Sequence, residues 1–368
     1  MVASISARGG VQAALGYYGH LGQDDYYLRG HEPPGGWAGE AAARLSLDGP
    51  VVRSEFEAAL NGIDPKTGER LTSLGGRQKS HSAGWDMTFS APKSVSVLWA
   101  LSDADKRTGI ESAQRSAVAA ATKHLEQTAA FARRGKGGAI REPTAGLLLA
   151  KFDHHTSRDL DPQLHTHVFV FNLAPRKDGT WGAIVSRELY KAQKQAGAIY
   201  REALAIEIER QGYAVERTVS GFRVSAIPRR IERAFSKRRE AIEAAAHEYG
   251  YRSPRGMEMA ALRSRKAKRS VGRDALFTTW RSEALAMGYE LNAAIAKQHQ
   301  PGRIDQSGQV HFRVPSGADR IVYEREPKAS LAAATSKLAA AARVVDQGAG
   351  FPSSQVDLKQ RDREKERG

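Results

Sequence analysis

Three histidines within one short stretch offer the clearest chemistry in this sequence. Lys151-Phe152-Asp153-His154-His155 leads through a polar segment, residues 156–164, into His165-Thr166-His167. Side chains alternate between the two faces of a strand, so His165 and His167 point the same way. The apolar run Val168-Phe169-Val170-Phe171 places that pair at the start of a buried strand. His154 falls just past the end of a second β-type run, Gly146–Phe152. If the two strands pair antiparallel through the polar loop, His154 returns beside His165 and His167. Three converging imidazoles can hold a divalent ion and leave coordination positions open for substrate oxygens. Cupin-type metal folds share the His-x-His pair, but they are expected to carry a glutamate shortly after it, where this chain has Phe171. His155 should face away from the other three, as a supporting or structural residue.

A second constellation lies near the N-terminus, in Leu15-Gly16-Tyr17-Tyr18-Gly19-His20-Leu21-Gly22-Gln23-Asp24-Asp25-Tyr26-Tyr27. Four of the 11 tyrosines fall here as two adjacent pairs. A doubled pair in a Gly- and Asp-rich loop is hard to read as core, because loops run over the surface. A tyrosine hydroxyl can attack a phosphodiester and form a covalent phosphotyrosine. Being a weak nucleophile, it needs help, and a cation on the non-bridging phosphate oxygens would offset the developing charge. The histidines and the tyrosines therefore make joint sense.

Asp86 sits inside the apolar run Trp85–Phe89. A buried carboxylate pairs with something or serves chemistry. Asp86 could orient a ligand histidine, or it could take the tyrosine proton. Lys93, with Ser90 and Ser94, is a candidate phosphate contact.

The elements that must position these residues alternate along the chain. β-type runs at Trp85–Phe89, Ser94–Trp99, Gly146–Phe152 and Val168–Leu173 predict strands. Helical patterns cover roughly 104–134 and Arg187–Gln211, the latter with Leu189, Ala196, Ile199, Ala203 and Ile206 on one stripe. Pro228 opens a predicted helix to about Tyr249, and Leu276, Trp280, Ala284 and Met287 mark another. Gly302–Val322 could form a short hairpin, and Gln355–Gly368 is polar enough to be disordered.

The chain has 368 residues and no cysteine, which excludes disulfides and thiolate metal sites and fits a reducing cytoplasm. Its first residues lack the features of a secretory signal, and no run reaches the length of a membrane span. The formal charge of +15 implies a polyanionic partner. Residues 229–273 hold 14 Lys/Arg against 5 Asp/Glu, so +9 of that excess is concentrated there, as in a DNA-gripping helical region. Arg229, Arg230, Lys237, Arg238, Arg265, Lys266 and Lys268 are the candidate DNA contacts, with Lys93. The expected division is 1–225 catalytic, 226–295 basic and helical, and 296–368 a largely flexible extension.

At these residues the sequence resembles the conjugative relaxases of the MobF class, within the HUH endonuclease superfamily. The matching segments are the tyrosine pairs with Asp24-Asp25, Thr88-Phe89-Ser90-Ala91-Pro92-Lys93-Ser94, and Asp161-Pro162-Gln163-Leu164-His165-Thr166-His167. Smaller echoes are Asp178-Gly179-Thr180-Trp181 and Phe235-Ser236-Lys237-Arg238. The resemblance spans about residues 2–290. It implies an α+β fold, with a central antiparallel five-stranded sheet flanked by helices (the palm) and a helical fingers subdomain closing over single-stranded DNA. It implies a site-specific nickase and transesterase that leaves a 5′-phosphotyrosine at a plasmid transfer origin. Tyr17 would be the nucleophile and Tyr26 the tyrosine of a second strand transfer, with Tyr18 and Tyr27 as companions. His154, His165 and His167 would hold Mg²⁺ or Mn²⁺, and Asp86 would orient a ligand or assist deprotonation. Implied partners are a single-stranded origin with its hairpin, accessory relaxosome proteins and a coupling protein, met by a cytoplasmic monomer. Two departures stand out. The middle of the His-x-His is Thr166 rather than a bulky hydrophobe. No Gly-x-x-x-x-Gly-Lys-Ser/Thr loop occurs, so no helicase motor is expected, whether the chain is a relaxase domain or a helicase-less relative.

Rival readings are a rolling-circle replication initiator, a small-molecule metalloenzyme and a plain DNA-binding module. In the first the tyrosine normally follows the histidine motif, whereas here it precedes it.

Overall fold

Strand β1 (Ala3–Arg8) leads into α1 (Val11–Tyr18), and β2 (Gly36–Ala38) is followed by two short helices, α2 (Glu40–Arg44) and α3 (Arg53–Leu60). Strand β3 (Gly84–Ser90) runs into α4 (Lys93–Leu101) and the long α5 (Ala104–Ala129), whose start is capped by the Asp103 side chain. A hairpin of β4 (Phe131–Arg134) and β5 (Ile140–Pro143) precedes the histidine strands β6 (Leu149–Thr156) and β7 (Pro162–Phe171). The short pair β8 (Ala174–Pro175) and β9 (Trp181–Gly182) leads to α6 (Ser186–Arg210). After the β10 (Val215–Thr218) and β11 (Gly221–Val224) hairpin come α7 (Arg229–Ala234), α8 (Lys237–Glu248), α9 (Pro254–Arg263), α10 (Arg273–Ala286) and α11 (Leu291–Gln298). This computed structural model describes residues 3–18, 33–72, 82–219, 221–265 and 271–298. The expected hairpin at 302–322 and the polar tail lie outside the described residues, as do Tyr26, Tyr27, Lys266, Lys268 and the Tyr17 side chain.

The central sheet has five strands in the order β1-β3-β7-β6-β2, and every neighbouring pair is antiparallel. Alternation divides its two faces. Trp85, Met87, Phe89, Leu149, Leu164, Val168 and Val170 enter one core, which α4, α5 and α6 cover. Ala150, Phe152, Phe169 and Phe171 enter a second core with residues of α1, α2 and α3. The histidines continue the alternation of this second face beyond its phenylalanines. Alanine-rich surfaces on α5 (Ala113, Ala117, Ala121) and α6 (Ala192, Ala196) are buried in the first core.

Three predicted elements differ. Ser94–Trp99 belongs to helix α4, not to a strand. Nearly every residue of that run is buried, so it shows no period that could separate a core helix from a core strand. Its two buried serines are satisfied outward from the helix: Ser94 Oγ accepts from the Val224 amide at 3.0 Å and Ser96 Oγ from the Leu164 amide at 3.0 Å. The helix predicted from Pro228 to Tyr249 is broken at Phe235-Ser236 into α7 and α8. The pattern over 104–134 also ends early, because 131–134 pairs with β5.

Of the helices after β11, α7, α10 and α11 share the first core with the sheet, while α8 and α9 bury Ala245, Ala246 and Ala260 in a small core of their own. Ile231, Leu276, Phe277, Trp280 and Ala284 are buried in the first core, and Trp99 of α4 packs against Phe277 (ring centroids 5.1 Å) and Trp280 (5.8 Å). Among the described residues no helix is long and apolar enough to cross a membrane.

Candidate metal centre and active site

The antiparallel pairing of β6 and β7 sets His154 directly opposite His165 and Phe152 opposite His167. The three rings form a nearly equilateral triangle, with centroid separations of 5.2, 5.0 and 5.2 Å. One nitrogen from each lies within 4.8 Å of the others. Strand pairing alone therefore brings His154, His165 and His167 together as expected.

Neighbouring polar groups select which nitrogen each ring can offer. His165 Nδ1 donates to the Gln163 carbonyl at 2.9 Å, leaving Nε2 as its lone-pair atom. His167 Nδ1 lies 2.9 Å from Asp86 Oδ1 on β3, where donation to the carboxylate again leaves Nε2 available. Thr88, opposite His167 in the β3–β7 register, places its hydroxyl 3.1 Å from the same Nδ1. Two imidazoles thus have a fixed orientation and tautomer, the arrangement that suits a divalent metal. The donor set fits such an ion, with nitrogen ligands clustered and no thiolate.

Asp86 is buried and held from two sides, by His167 and by Arg8 Nη2 at 2.7 Å. Burial raises its pKa, but the His167 hydrogen bond and charge and the Arg8 guanidinium outweigh burial and lower it to about 2. It is a fixed carboxylate acceptor. Arg8 was not among the expected site residues, yet a signal exists: Ser4, Ser6 and Arg8 alternate with Ala3, Ile5 and Ala7, which puts Arg8 on the polar side of β1.

Thr166 points into the opposite core. It is buried, its hydroxyl donates to Asp153 Oδ1 at 2.6 Å, and it accepts from Gln114 Nε2 at 3.2 Å. Tyr200 Oη completes this relay by donating to Gln114 Oε1 at 2.6 Å. A threonine therefore stands between the histidines because this hydroxyl pins β7 to α5 and α6. His155 is also buried on that side, stacked on Trp99 at 5.1 Å with an interplanar angle of 12°. Burial, chiefly, lowers its pKa to about 3, so it is a neutral structural ring.

Tyr18, at the end of α1, is fully buried among Phe152 and Phe169 (both 5.1 Å) and Phe56 (5.8 Å). Its ring is 6.3 Å from that of His167, so the end of α1 abuts the triad. The first tyrosine pair thus contributes one member to the core.

The expected DNA contacts separate into two kinds. Arg229, Arg230, Lys237 and Arg265 are exposed, although Arg230 donates to the Met287 carbonyl at 2.6 Å and Lys237 pairs with Glu283 at 3.1 Å. Lys93 and Arg238 are turned inward. Lys93 Nζ donates to the carbonyls of Pro162 and Phe235, and burial lowers its pKa to about 8. Arg238 donates to the Ala261 and Ser264 carbonyls at 2.6 and 2.7 Å, closing the end of α9. A basic residue in a motif can thus serve the backbone instead of a phosphate.

Comparison with known proteins gives the family of the chain. The family description "TrwC relaxase" matches residues 11–287. The chain is 33% identical over 303 residues to the multifunctional conjugation protein TraI of Escherichia coli, and 33% identical over 280 residues to TraI of strain K12. It spans only 17% and 15% of the length of these curated relatives. Among solved structures it is similar to the conjugative relaxase TrwC in complex with oriT DNA, copper-bound, with a TM-score of 0.69 and 34% identity. That likeness covers 78% of this chain and 99% of that one. TrwC complexed with a 27-mer DNA comprising the recognition hairpin and the cleavage site matches with a TM-score of 0.67 and 31% identity, over the same shares. Matched across its sheet, its histidine strands and its later helices, the chain belongs to the TrwC relaxase family.

Proposed function

We propose that this protein is a site- and strand-specific DNA nickase and transesterase that acts at a plasmid transfer origin in conjugation. The observation that carries the reading is the imidazole triangle on β6 and β7, with two of its rings oriented by Gln163 and Asp86. Family membership and the DNA-bound, metal-bound TrwC relatives supply the substrate class.

His154, His165 and His167 would hold a divalent ion, Mg²⁺ or Mn²⁺ in the cell. Such an ion, when bound, withdraws charge from the non-bridging oxygens of the scissile phosphate. Tyr17 is the proposed nucleophile. Its hydroxyl oxygen attacks phosphorus, the bond from phosphorus to the 3′ oxygen breaks, and the phenolic proton passes to solvent while the leaving 3′ oxygen takes one up. The products are a 5′-phosphotyrosine and a free 3′-OH. One phosphoester replaces another, so the step is reversible and can rejoin strands. Asp86 orients His167 and, already engaged by Arg8, is not the base. Tyr26 is proposed for a second strand transfer, with Tyr18 supporting the first pair from the core and Tyr27 as companion of the second. Residues 1–225 would act as the palm and 226–295 as the fingers, with exposed Arg229, Arg230, Lys237 and Arg265 near the DNA backbone. Accessory relaxosome proteins and a coupling protein are the proposed protein partners.

The test is capture of a covalent adduct on a single-stranded oligonucleotide spanning the transfer origin. The wild type should give a shifted band that survives denaturant, abolished by EDTA and restored by Mn²⁺. Tyr17→Phe should give none while retaining Mn²⁺ binding. An adduct that persists undiminished in Tyr17→Phe and Tyr26→Phe together would refute the reading.

A further inference from the structure

Three short segments of the sequence carry residues that the chemistry above leaves unused: Lys93, Asp161, and Phe235, Ser236 and Arg238 around the α7–α8 break. In the fold they meet at the break between α7 and α8. Lys93 Nζ donates to the carbonyl of Phe235, at the C-terminal end of α7, at 2.8 Å, and to the carbonyl of Pro162, the first residue of β7, at 2.9 Å. Asp161 is fully buried and its Oδ2 accepts from the Arg238 amide at 3.3 Å, in the first turn of α8. Ser236, in the N-cap position of α8, makes no side-chain cap and instead donates to the Glu232 carbonyl. A cation thus closes the end of one helix and an anion the start of the next, each complementing the local helix dipole.

The same groups sit where the two histidine strands turn into one another. The β6–β7 register shifts between His154 and Thr156, and residues 157–161 form a tight turn. Within it Ser157 Oγ accepts from the amides of Asp159 and Asp161, and Leu160 adopts a left-handed φ of 62°. A leucine holds such a conformation only when its surroundings impose it. One imposing contact is Trp280 Nε1 of α10, which donates to the Leu160 carbonyl at 2.9 Å. The turn between His154 and His165 is therefore gripped by α7 and α8 through Lys93 and Asp161, and by α10 through Trp280.

We infer that Lys93, Asp161 and Trp280 are positioning residues, which fix the start of β7 and thereby hold His165 and His167 at their separation from His154. Through them the seating of the basic helices is mechanically tied to the metal centre. This rests on the reading that the three histidines bind a divalent ion.

The experiment is calorimetric titration of metal-free full-length protein with Mn²⁺, alongside thermal unfolding in EDTA. Lys93→Met, Asp161→Asn and Trp280→Phe should each weaken Mn²⁺ binding roughly tenfold, the low end of the losses at groups supporting metal ligands. Trp280→Phe keeps the buried ring and removes only the N–H, so it serves if Lys93→Met fails to fold. Leu204→Ala, a cavity in the α6 core, should lower the melting temperature and leave Mn²⁺ affinity unchanged. The inference is overturned if Asp161→Asn and Trp280→Phe bind Mn²⁺ like the wild type while His165→Ala does not bind it, or if Leu204→Ala weakens binding as much as they do. Wild-type Mn²⁺ affinity in His165→Ala would instead remove the metal-site reading itself.

Discussion

Asp86 shows how much of the site depends on one side chain reaching across strands. It links Arg8 of β1 to His167 of β7 from its own place on β3. Asp86→Asn keeps the shape but removes the charge, and it can present an amide N–H to Nδ1. It should weaken Mn²⁺ binding by about 10- to 100-fold, as losses beside metal-bound histidines do, measurable by calorimetry. Lys93 supplies a pH signature. Burial lowers its folded pKa to about 8, below the unfolded value of 10.5. The native protein therefore bears a buried ammonium at a cost below pH 8, and that cost is relieved as pH rises toward 10.5, while the unfolded chain still binds the proton. Relative to Lys93→Met, the wild type should gain on the order of 2 kcal/mol between those limits, read by denaturant unfolding at a series of pH values.

At the scale of elements, Gly84 opens β3 with a φ of 149°, and a Cβ there would stand 2.1 Å from the Val170 carbonyl oxygen. Gly84→Ala should cost roughly 2–4 kcal/mol from combined strain and overpacking, seen as a lowered denaturation midpoint. The histidine strands were legible in the sequence because alternation and a polar loop are local signals: His165, His167, Phe169 and Phe171 share one face in a period of two. The identity of α4 was not, since a run buried on all sides carries no period. The α7–α8 break was equally hidden, because the charges that stabilise it, Lys93 and Asp161, come from distant segments. The roles of Arg8 and Thr88 at the site were hidden for the same reason. Each is unremarkable until the strand order places β3 between β1 and β7.

For the whole molecule, the +15 charge should make binding to single-stranded DNA fall steeply with salt. Arg265→Ala, which removes an exposed cation, should reduce the slope of log K against log salt by about 0.7 if it neutralises one phosphate. Arg238→Ala should leave that slope nearly unchanged and instead lower the melting temperature, because its guanidinium holds the Ala261 and Ser264 carbonyls. Fluorescence anisotropy across a salt series, paired with thermal unfolding, distinguishes the two kinds of arginine.

The order of strands in the sheet also bears on how the protein acquires its metal centre. His154 and His165 sit opposite each other in a local hairpin, whereas Asp86 joins His167 across 81 residues of chain. Closing the hairpin loses far less chain entropy than recruiting β3, so all three ligands can meet early in folding and the carboxylate arrives last. Because ion binding to a nascent site counts toward folding free energy, Mn²⁺ should accelerate refolding in stopped-flow measurements. Asp86→Asn should keep that acceleration and lose only the final affinity.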